Sequence, residues 1–224
     1  MPTDPAELSL QAQTPAEAAG PAWDSGDPAK ALAALRVPAL ACIRCDLKLT
    51  RTQVVFGTGN PHSRLILFGE APGAGEDESG VPFVGRAGQV LDGLLAGAGI
   101  ARADIWISNT VKCRPVKIEG RRVSNRPPRV GEVRACAIWR DGEMAAIAPR
   151  LICCLGATAA STILGRTVKM TAERGQWFDG PGDSRVLITY HPSYVMRQVG
   201  PDYDRVRGEA LADLREVAAQ LAAR

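Results

Sequence analysis

The sequence contains no apolar stretch that approaches the ~20 residues needed for a membrane-spanning helix. Its N-terminus also lacks the basic start and apolar block of a secretory signal, so we expect a cytoplasmic protein with no membrane partner. The formal net charge is only +3, which by itself does not identify nucleic acid as a partner. Six cysteines in a chain without export features are not expected to form disulfides.

The length and composition favour one domain of ordinary size and a tail, because 224 residues with 46% apolar content can form a packed core. Residues 1–28 are rich in Ala, Pro and small polar residues without an apolar period, and we interpret them as a flexible tail. Residues 29–224 are predicted to form a single domain. A short helix is expected over 27–35, with Asp27 as N-cap and Pro28 in its first turn, ending at Arg36-Val37-Pro38.

The remaining sequence alternates between short apolar runs and helical periodicity. Strands are predicted at 64–69, 103–108, 150–155 and 185–190, and helices at 85–98, 129–146, 157–163 and 204–222. This alternation predicts an α/β fold with three layers, α/β/α, around a central, mainly parallel four-stranded sheet. The strands lead into Glu70, Asn109, Gly156 and His191, so we expect four loops to meet at one rim of the sheet, where such folds bind ligands.

The stretch 64–95 is the most informative part of the chain. Its apolar run ends abruptly at Gly69, and a glycine-rich acidic loop follows that contains Glu70, Glu76 and Asp77 before Phe83. Carboxylates, an aromatic face and glycines that let backbone N–H groups approach closely suit binding and attack of a flat polar molecule.

Two further polar residues lie at predicted strand ends. The amide of Asn109 offers one acceptor and two donors, which can read a pyrimidine edge that carries C=O and N–H groups, although an isolated Asn more commonly caps a turn. His191, held in a turn stiffened by Pro192, can donate a hydrogen bond to a developing oxyanion. The alternative is a helix-capping or merely exposed histidine.

The cysteines fall into two groups. Cys153 and Cys154 lie in an apolar run and read as buried core residues. The other four, a C-x-x-C pair and two distant residues, can complete a thiolate set that binds Zn²⁺ or a [4Fe–4S] cluster: Cys42, Cys45, Cys113 and Cys136. The spacing does not choose between the two metals, and a redox C-x-x-C pair with two core cysteines is the alternative. A four-cysteine centre would tie the N-terminal loop to both ends of the following basic segment.

The basic segment lies between Lys112 and Arg134 and has eight Lys and Arg residues, where the chain average predicts about three. Either it is a solvated charged loop or it binds a polyanion such as nucleic acid.

Five motifs occur in the order GEAPGAGED, GVPFVGRAGQVLD, NTVKCRP, NRPP and HPSYVMR. Together they resemble the family 4 uracil-DNA glycosylases, the iron–sulfur type, over roughly residues 38–222. The resemblance implies a DNA repair enzyme, and we expect a monomer. It would flip uracil out of single- or double-stranded DNA and hydrolyse the N-glycosidic bond, leaving an abasic site. It also implies a [4Fe–4S] cluster on the four cysteines, with zinc as the alternative.

The resemblance assigns roles residue by residue. The loop that lines the family's uracil pocket is matched here by Glu70, Ala71 and Pro72. Phe83 matches the aromatic residue that stacks on the base. Asn109 matches the side chain that reads the Watson–Crick edge of uracil, and His191 matches the histidine that faces uracil O2. The expected catalytic residues are His191, Glu70, Glu76 and Asn125. The expected DNA-backbone contacts are Arg114, Lys117, Arg121, Arg122, Arg126 and Arg197.

Two departures from the family pattern bear on mechanism. Ala71 stands where some glycosylases carry Asp, so we assign water activation to Glu76, with Asp77 as the alternative. The loop from Cys113 to Cys136 is longer than usual, and a related group with Gln at the Ala71 position uses a histidine in such a loop to trap the sugar covalently. This loop contains no histidine, so we expect turnover rather than an adduct.

Two other functions remain open from the residues alone. One is a non-catalytic iron–sulfur or zinc module that binds nucleic acid in a repair or replication assembly. The other is a zinc-stabilised α/β hydrolase of a small nucleotide-like substrate.

Overall fold

The structure, a computed structural model, describes residues 26–223, so most of the predicted tail lies outside the described residues. The strands are β1 (Thr58–Gly59), β2 (Leu65–Gly69), β3 (Trp106–Asn109), β4 (Val116–Glu119), β5 (Arg122–Asn125), β6 (Leu151–Leu155), β7 (Trp177–Asp179) and β8 (Arg185–Thr189). The helices are α1 (Pro28–Leu40), α2 (Ala74–Ser79), α3 (Arg86–Ala98), α4 (Val130–Ile147), α5 (Ala157–Leu164), α6 (Met170–Glu173), α7 (Pro192–Met196) and α8 (Pro201–Ala222). None of the helices in this described part is long and apolar enough to cross a bilayer.

The main sheet has the strand order β1-β3-β2-β6-β8-β7. Its four central strands are parallel to one another and correspond to the four predicted strands. The predicted strand number was wrong, because β1 and β7 add an antiparallel strand at each edge. These edge strands are two and three residues long, too short to show an apolar period in the sequence.

Helices cover both faces of the sheet, which confirms the three-layer architecture. Along β2, Leu65 and Leu67 pack in the cluster that contains α3 and α8. Ile66 and Phe68 point to the opposite face, in the cluster that contains α1, α4 and α5. The strand is buried throughout, as its continuous apolar run requires.

Helix α1 begins as predicted and ends later than predicted. The Asp27 side chain accepts a hydrogen bond from the Ala29 N–H at 2.9 Å, and Pro28 occupies the first turn. The helix nevertheless continues through Pro38 to Leu40. Pro38 removes one backbone hydrogen bond from this last turn, and Ala39 beyond it is buried in the core.

Two segments predicted as loops contain regular structure. The acidic loop after β2 includes α2, whose N-terminus is capped by the Glu76 side chain through the Gly73 N–H. The basic segment contains an antiparallel hairpin, in which β4 and β5 pair only with each other. The hairpin is largely solvent-exposed, so alternation against a buried face could not reveal it.

Candidate active site

A cleft of about 860 Å³ opens at the carboxyl ends of the parallel strands. All four predicted strand-end residues line it: Glu70, Asn109, Gly156 and His191. The other predicted site residues that line it are Ala71, Pro72, Glu76, Phe83, Asn125, Arg126 and Arg197. The remaining predicted DNA contacts do not line the cleft, and lie at the base or along the length of the β4–β5 hairpin: Arg114, Lys117, Arg121 and Arg122.

The floor of the cleft brings Asn109 and Phe83 together above Gly69. A Cβ atom at Gly69 would lie 2.4 Å from Asn109 Oδ1 and 2.5 Å from Phe83 Cζ, so only glycine fits at this strand end. Asn109 is buried, and its Oδ1 atom has no hydrogen-bond partner within the protein. A buried acceptor without a donor is costly unless a ligand supplies the donor.

Phe83 adopts a backbone conformation that is uncommon for a bulky residue, with φ of 55°. A Cβ at Gly88 would lie only 1.9 Å from the Phe83 carbonyl oxygen. Any side chain at position 88, in the first turn of α3, would therefore collide with the Phe83 backbone, and only glycine fits there. The surrounding structure therefore fixes an unfavourable conformation, as is common where a side chain must be aimed at a ligand. The Phe83 ring lies 5.9 Å from the His191 ring, at an interplanar angle of 33°.

The hydrogen bonds of His191 define its tautomer. Its Nδ1 accepts from the Ser193 backbone N–H at 3.1 Å and lies 2.8 Å from the Ser193 hydroxyl. Burial, reinforced by the nearby charge of Arg197, lowers the pKa of His191 to about 4. At neutral pH the ring is therefore uncharged, and because Nδ1 is an acceptor the proton resides on Nε2.

Glu70 is held at the cleft by a residue that the sequence did not reveal. Its carboxylate Oε2 accepts a hydrogen bond from the Thr158 hydroxyl at 2.5 Å, and Thr158 also lines the cleft. Thr158 lies in the first turn of α5, two residues after the Gly156 rim position. The sequence places Thr158 shortly after a predicted strand, which could have indicated a position near the cleft. A single threonine there, however, does not by itself predict a functional role.

The two acidic candidates for water activation differ in environment. Glu76 accepts from the backbone N–H groups of Gly73 at 3.0 Å, Val84 at 3.1 Å and Gly85 at 2.8 Å, which ties α2 to the start of α3. Asp77 does not line the cleft, and both its oxygens accept from the Thr52 N–H at 3.0 Å. Only Glu76 of the two is placed at the cleft wall.

The far wall of the cleft is made by the base of the β4–β5 hairpin. Asn125 Oδ1 accepts from Arg114 Nε at 2.7 Å. Arg126 forms a two-point ion pair with Glu132 at 2.6 and 2.8 Å, and its Nε donates to the Val116 carbonyl. This pairing lowers the pKa of Glu132 and fixes the hairpin to the first turn of α4.

One basic residue of the segment is not on the surface at all. Lys112 is fully buried, and its Nζ donates to Glu143 Oε2 at 2.5 Å, to the Ser108 hydroxyl at 2.7 Å and to the Asn109 carbonyl at 2.8 Å. Glu143 also accepts from the Gly57 N–H at 3.0 Å. This buried ion pair supports the end of β3 that carries Asn109, a role that counting charges along the sequence could not show.

The four predicted cysteine ligands line one small cavity beside α1 and α4. Three N–H groups point at their sulfurs: Arg51 Nη1 to Cys113 at 3.3 Å, the Lys112 backbone to Cys136 at 3.2 Å and Trp139 Nε1 to Cys42 at 3.2 Å. Such N–H···S bonds commonly surround metal-bound thiolates.

The four thiols surround that cavity rather than meeting at one point. Within residues 26–223, no three His, Cys, Asp or Glu side chains are close enough to hold a single metal ion. Burial raises the pKa of Cys136 to about 12, which favours the protonated thiol at neutral pH, and binding of a metal would displace this proton. Cys153 and Cys154 are fully buried on β6, as predicted.

Comparisons with known proteins agree with the motifs. A family model described as the uracil DNA glycosylase superfamily matches residues 56–215. The chain is 42% identical to a type-4 uracil-DNA glycosylase of Thermotoga maritima, over 74% of this chain and 83% of that protein. It is 36% identical to a type-4 uracil-DNA glycosylase of Archaeoglobus fulgidus, over 70% of this chain and 79% of that protein. A type-5 uracil-DNA glycosylase of Thermus thermophilus is 31% identical to the chain, over 64% of this chain and 71% of that protein. The chain therefore belongs to the uracil DNA glycosylase superfamily and, within it, to the type-4 family.

Proposed function

We propose that this protein removes uracil from DNA by hydrolysing the N-glycosidic bond, which leaves an abasic site. One observation carries the proposal: Phe83, Asn109 and His191, which come from three distant parts of the chain, line a single cleft. A base inside a duplex cannot reach such a cleft, so the nucleotide must first leave the stack. Phe83 then supplies an aromatic face, and stacking on it is worth roughly 1–3 kcal/mol.

The unpaired Oδ1 of Asn109 explains the choice of base. Uracil carries a hydrogen on N3 that can be donated to this acceptor, and its O4 can accept from the Asn109 amide N–H groups. Cytosine has no hydrogen on N3 and presents an amino group in place of O4. A cytosine in the cleft would leave the buried acceptor unpaired, and sites of this kind reject the wrong partner strongly.

His191 acts on the leaving group. Breakage of the bond between C1′ and N1 leaves the electron pair on uracil, and negative charge develops on O2. A neutral imidazole with its proton on Nε2 donates a hydrogen bond to that oxygen without having to transfer a proton. Loss of a comparable donor costs about 2.7–4 kcal/mol of transition-state stabilisation.

Carboxylates act on the sugar, which becomes positively charged as uracil leaves. We assign this role to Glu76 and Glu70, whose positions are fixed by backbone N–H groups and by Thr158. Glu76 and Asn125 orient the water, whose oxygen forms the bond to C1′. The proton that the water loses passes to the Glu76 carboxylate and then to solvent, and the uracil anion takes up a proton from solvent. No histidine lies in the segment between Cys113 and Cys136, so the sugar is released rather than trapped.

The experiment is excision from oligonucleotides that carry one uracil, followed by alkaline cleavage of abasic sites. We expect excision by the wild-type protein, and a loss of about 100- to 1,000-fold in His191→Gln and Asn109→Ala. His62→Gln is the matched control, because His62 lies outside the cleft and should retain full activity. No cleavage above background by the wild type, or full activity in both cleft variants, would contradict the proposal. Protein–DNA crosslinks would contradict turnover.

We also propose that Cys42, Cys45, Cys113 and Cys136 hold a [4Fe–4S] cluster, with zinc as the alternative. Four thiols around a shared cavity suit a cluster larger than one ion, and the N–H···S bonds suit bound sulfur. When bound, the cluster supplies ligand bonds that join the segment after α1 to both ends of the basic segment. Iron and acid-labile sulfide in anaerobically purified protein support it, and stoichiometric zinc in colourless protein contradicts it.

A further inference from the structure

The β4–β5 hairpin has two chemically different faces. The register pairs Val116 with Asn125 and Ile118 with Val123, and these four side chains share one face because alternate residues of a strand point the same way. The opposite face carries polar and charged side chains: Lys117, Glu119, Arg122 and Ser124. Apart from Asn125 at its base, the first face is therefore apolar, and we call it the apolar face; the second is polar and mostly charged.

The apolar face continues into the cleft. Asn125, at the base of this face, lines the cleft together with Pro115. Towards the tip, Ile118 and Val123 lie opposite each other and are 59% and 51% exposed. With strands of four residues, the hairpin extends by roughly 13 Å beyond this base. Two adjacent β-branched side chains are thus held in solvent at the edge of the proposed uracil site.

The hairpin is anchored, which distinguishes it from an ordinary surface loop. Arg126 at its base forms the ion pair with Glu132 and donates to the Val116 carbonyl at 3.1 Å. Arg114 donates to Asn125 across the same base. These bonds hold the apolar face in a fixed direction relative to the cleft.

The charge of the hairpin indicates what the apolar face meets. From Arg114 to Asn125 there are four basic residues and one acidic residue, Glu119, which is paired with Lys117 at 2.7 Å. A basic hairpin beside a nucleotide cleft is complementary to the phosphates on either side of the target. Apolar side chains set among such basic groups are typical of wedges that enter a base step.

We propose that Ile118 and Val123 form an apolar wedge that enters duplex DNA beside the uracil site. The wedge fills the space that the extruded nucleotide leaves and so offsets the unstacking and unpairing cost, which is about a few kcal/mol per step. This inference rests on the proposed function. In single-stranded DNA the target has no pairing partner and little stacking to replace, so the wedge acts on duplex substrates.

The test compares Ile118→Thr/Val123→Thr with the wild type on the same uracil oligonucleotide, single-stranded and paired. Threonine keeps the β-branched shape that strands favour and replaces one alkyl branch of each side chain by a hydroxyl group. We expect kcat/KM to fall about tenfold or more on the duplex and to change less than about twofold on the single strand. Ile118→Val/Val123→Ile keeps the apolar pair and should match the wild type. Val37→Thr on α1 is the control for loss of an exposed valine.

A second readout reports extrusion directly. 2-Aminopurine opposite a non-hydrolysable 2′-fluoro-deoxyuridine should brighten when the wild type binds the duplex and brighten less with the threonine variant. Equal losses on both substrates, or no loss on the duplex, would overturn the wedge. Excision by the wild type keeps the proposed function separate, because its absence on both the single strand and the duplex would refute that function whatever the hairpin variants do.

Discussion

Two lysines five positions apart in the chain have opposite environments. Lys112 is completely buried, where Glu143, Ser108 and the Asn109 carbonyl surround its ammonium group. Lys117 lies on the exposed hairpin, with 62% of its side chain accessible, and pairs with Glu119 at 2.7 Å. Each counts equally in the net charge. Lys112 supports Asn109 at the end of β3, and Lys117 belongs to the hairpin for which we propose contacts with the DNA backbone.

The difference shows how the charges of this chain divide between folding and binding. A buried ammonium group must be matched by a carboxylate and further acceptors, since an unpaired buried charge is strongly destabilising. An exposed pair is weak because water and salt screen it. The interior pair should therefore control stability and the geometry of the cleft. The hairpin charges should control affinity for DNA and its dependence on salt.

The largest expected effect comes from breaking the interior pair. Lys112→Met leaves the Glu143 carboxylate buried without its cation, and should lower the free energy of unfolding by about 3–5 kcal/mol. Lys117→Met should change it by less than about 0.5 kcal/mol. Urea denaturation of both proteins, purified with their metal centre intact, measures the difference.

A second substitution tests whether the buried charge itself is the cause. Glu143→Gln, added to Lys112→Met, removes the unpaired charge and keeps an oxygen that can accept from the Gly57 N–H. This double variant should recover part of the lost stability. If Lys112→Met proved as stable as Lys117→Met, the contrast between the two lysines would be wrong.

The two histidines of the chain, His191 and His62, also lie in different environments. Here we expect an effect on stability of intermediate size. The pKa of His191 is lowered from its ordinary value of 6.5 to about 4 by burial and by Arg197, while Glu76 opposes the shift. Between these values the unfolded chain binds a proton that the folded chain does not, so stability falls as the pH drops from about 6.5 towards 4. The complete loss amounts to about 3 kcal/mol. It is absent at neutral pH, where both states are uncharged.

The free energy of unfolding is measured for the wild type and for His191→Gln, at neutral pH and near pH 5. The difference between the two proteins isolates the His191 effect, because both contain the same carboxylates. The wild type should lose about 2 kcal/mol more than the variant between the two conditions. His62→Gln should follow the wild type, because His62 lies in an exposed turn. Parallel pH trends for the wild type and His191→Gln would show that burial does not disfavour the charged ring.

The same contrast explains what the sequence could predict. The four parallel strands and the residues at their carboxyl ends could be predicted, because a buried strand has a continuous apolar run and its end fixes which side chain faces the cleft. The cysteine set and the neighbourhood of Phe83, Asn109 and His191 followed from motifs. The edge strand β1 and the buried state of Lys112 depend on partners far away in the chain, which local patterns do not contain. The strand β7 and the helix α2 have nearby partners, but each is too short to show a period in the sequence.

We expect substitutions on the hairpin to have the smallest effect on stability and a clear effect on DNA binding. Arg121 and Arg122 lie outside the cleft and are exposed, so Arg121→Ala/Arg122→Ala should leave the free energy of unfolding within about 0.5 kcal/mol of the wild type. If both contact phosphates, the slope of log affinity against log salt for a duplex with 2′-fluoro-deoxyuridine should decrease in magnitude by about two, close to 0.9 for each contact. Arg36→Ala/Arg207→Ala removes the same charge from exposed positions on α1 and α8 and should leave the slope unchanged. Equal decreases in both double variants would mean that net charge, rather than the hairpin, sets the salt dependence.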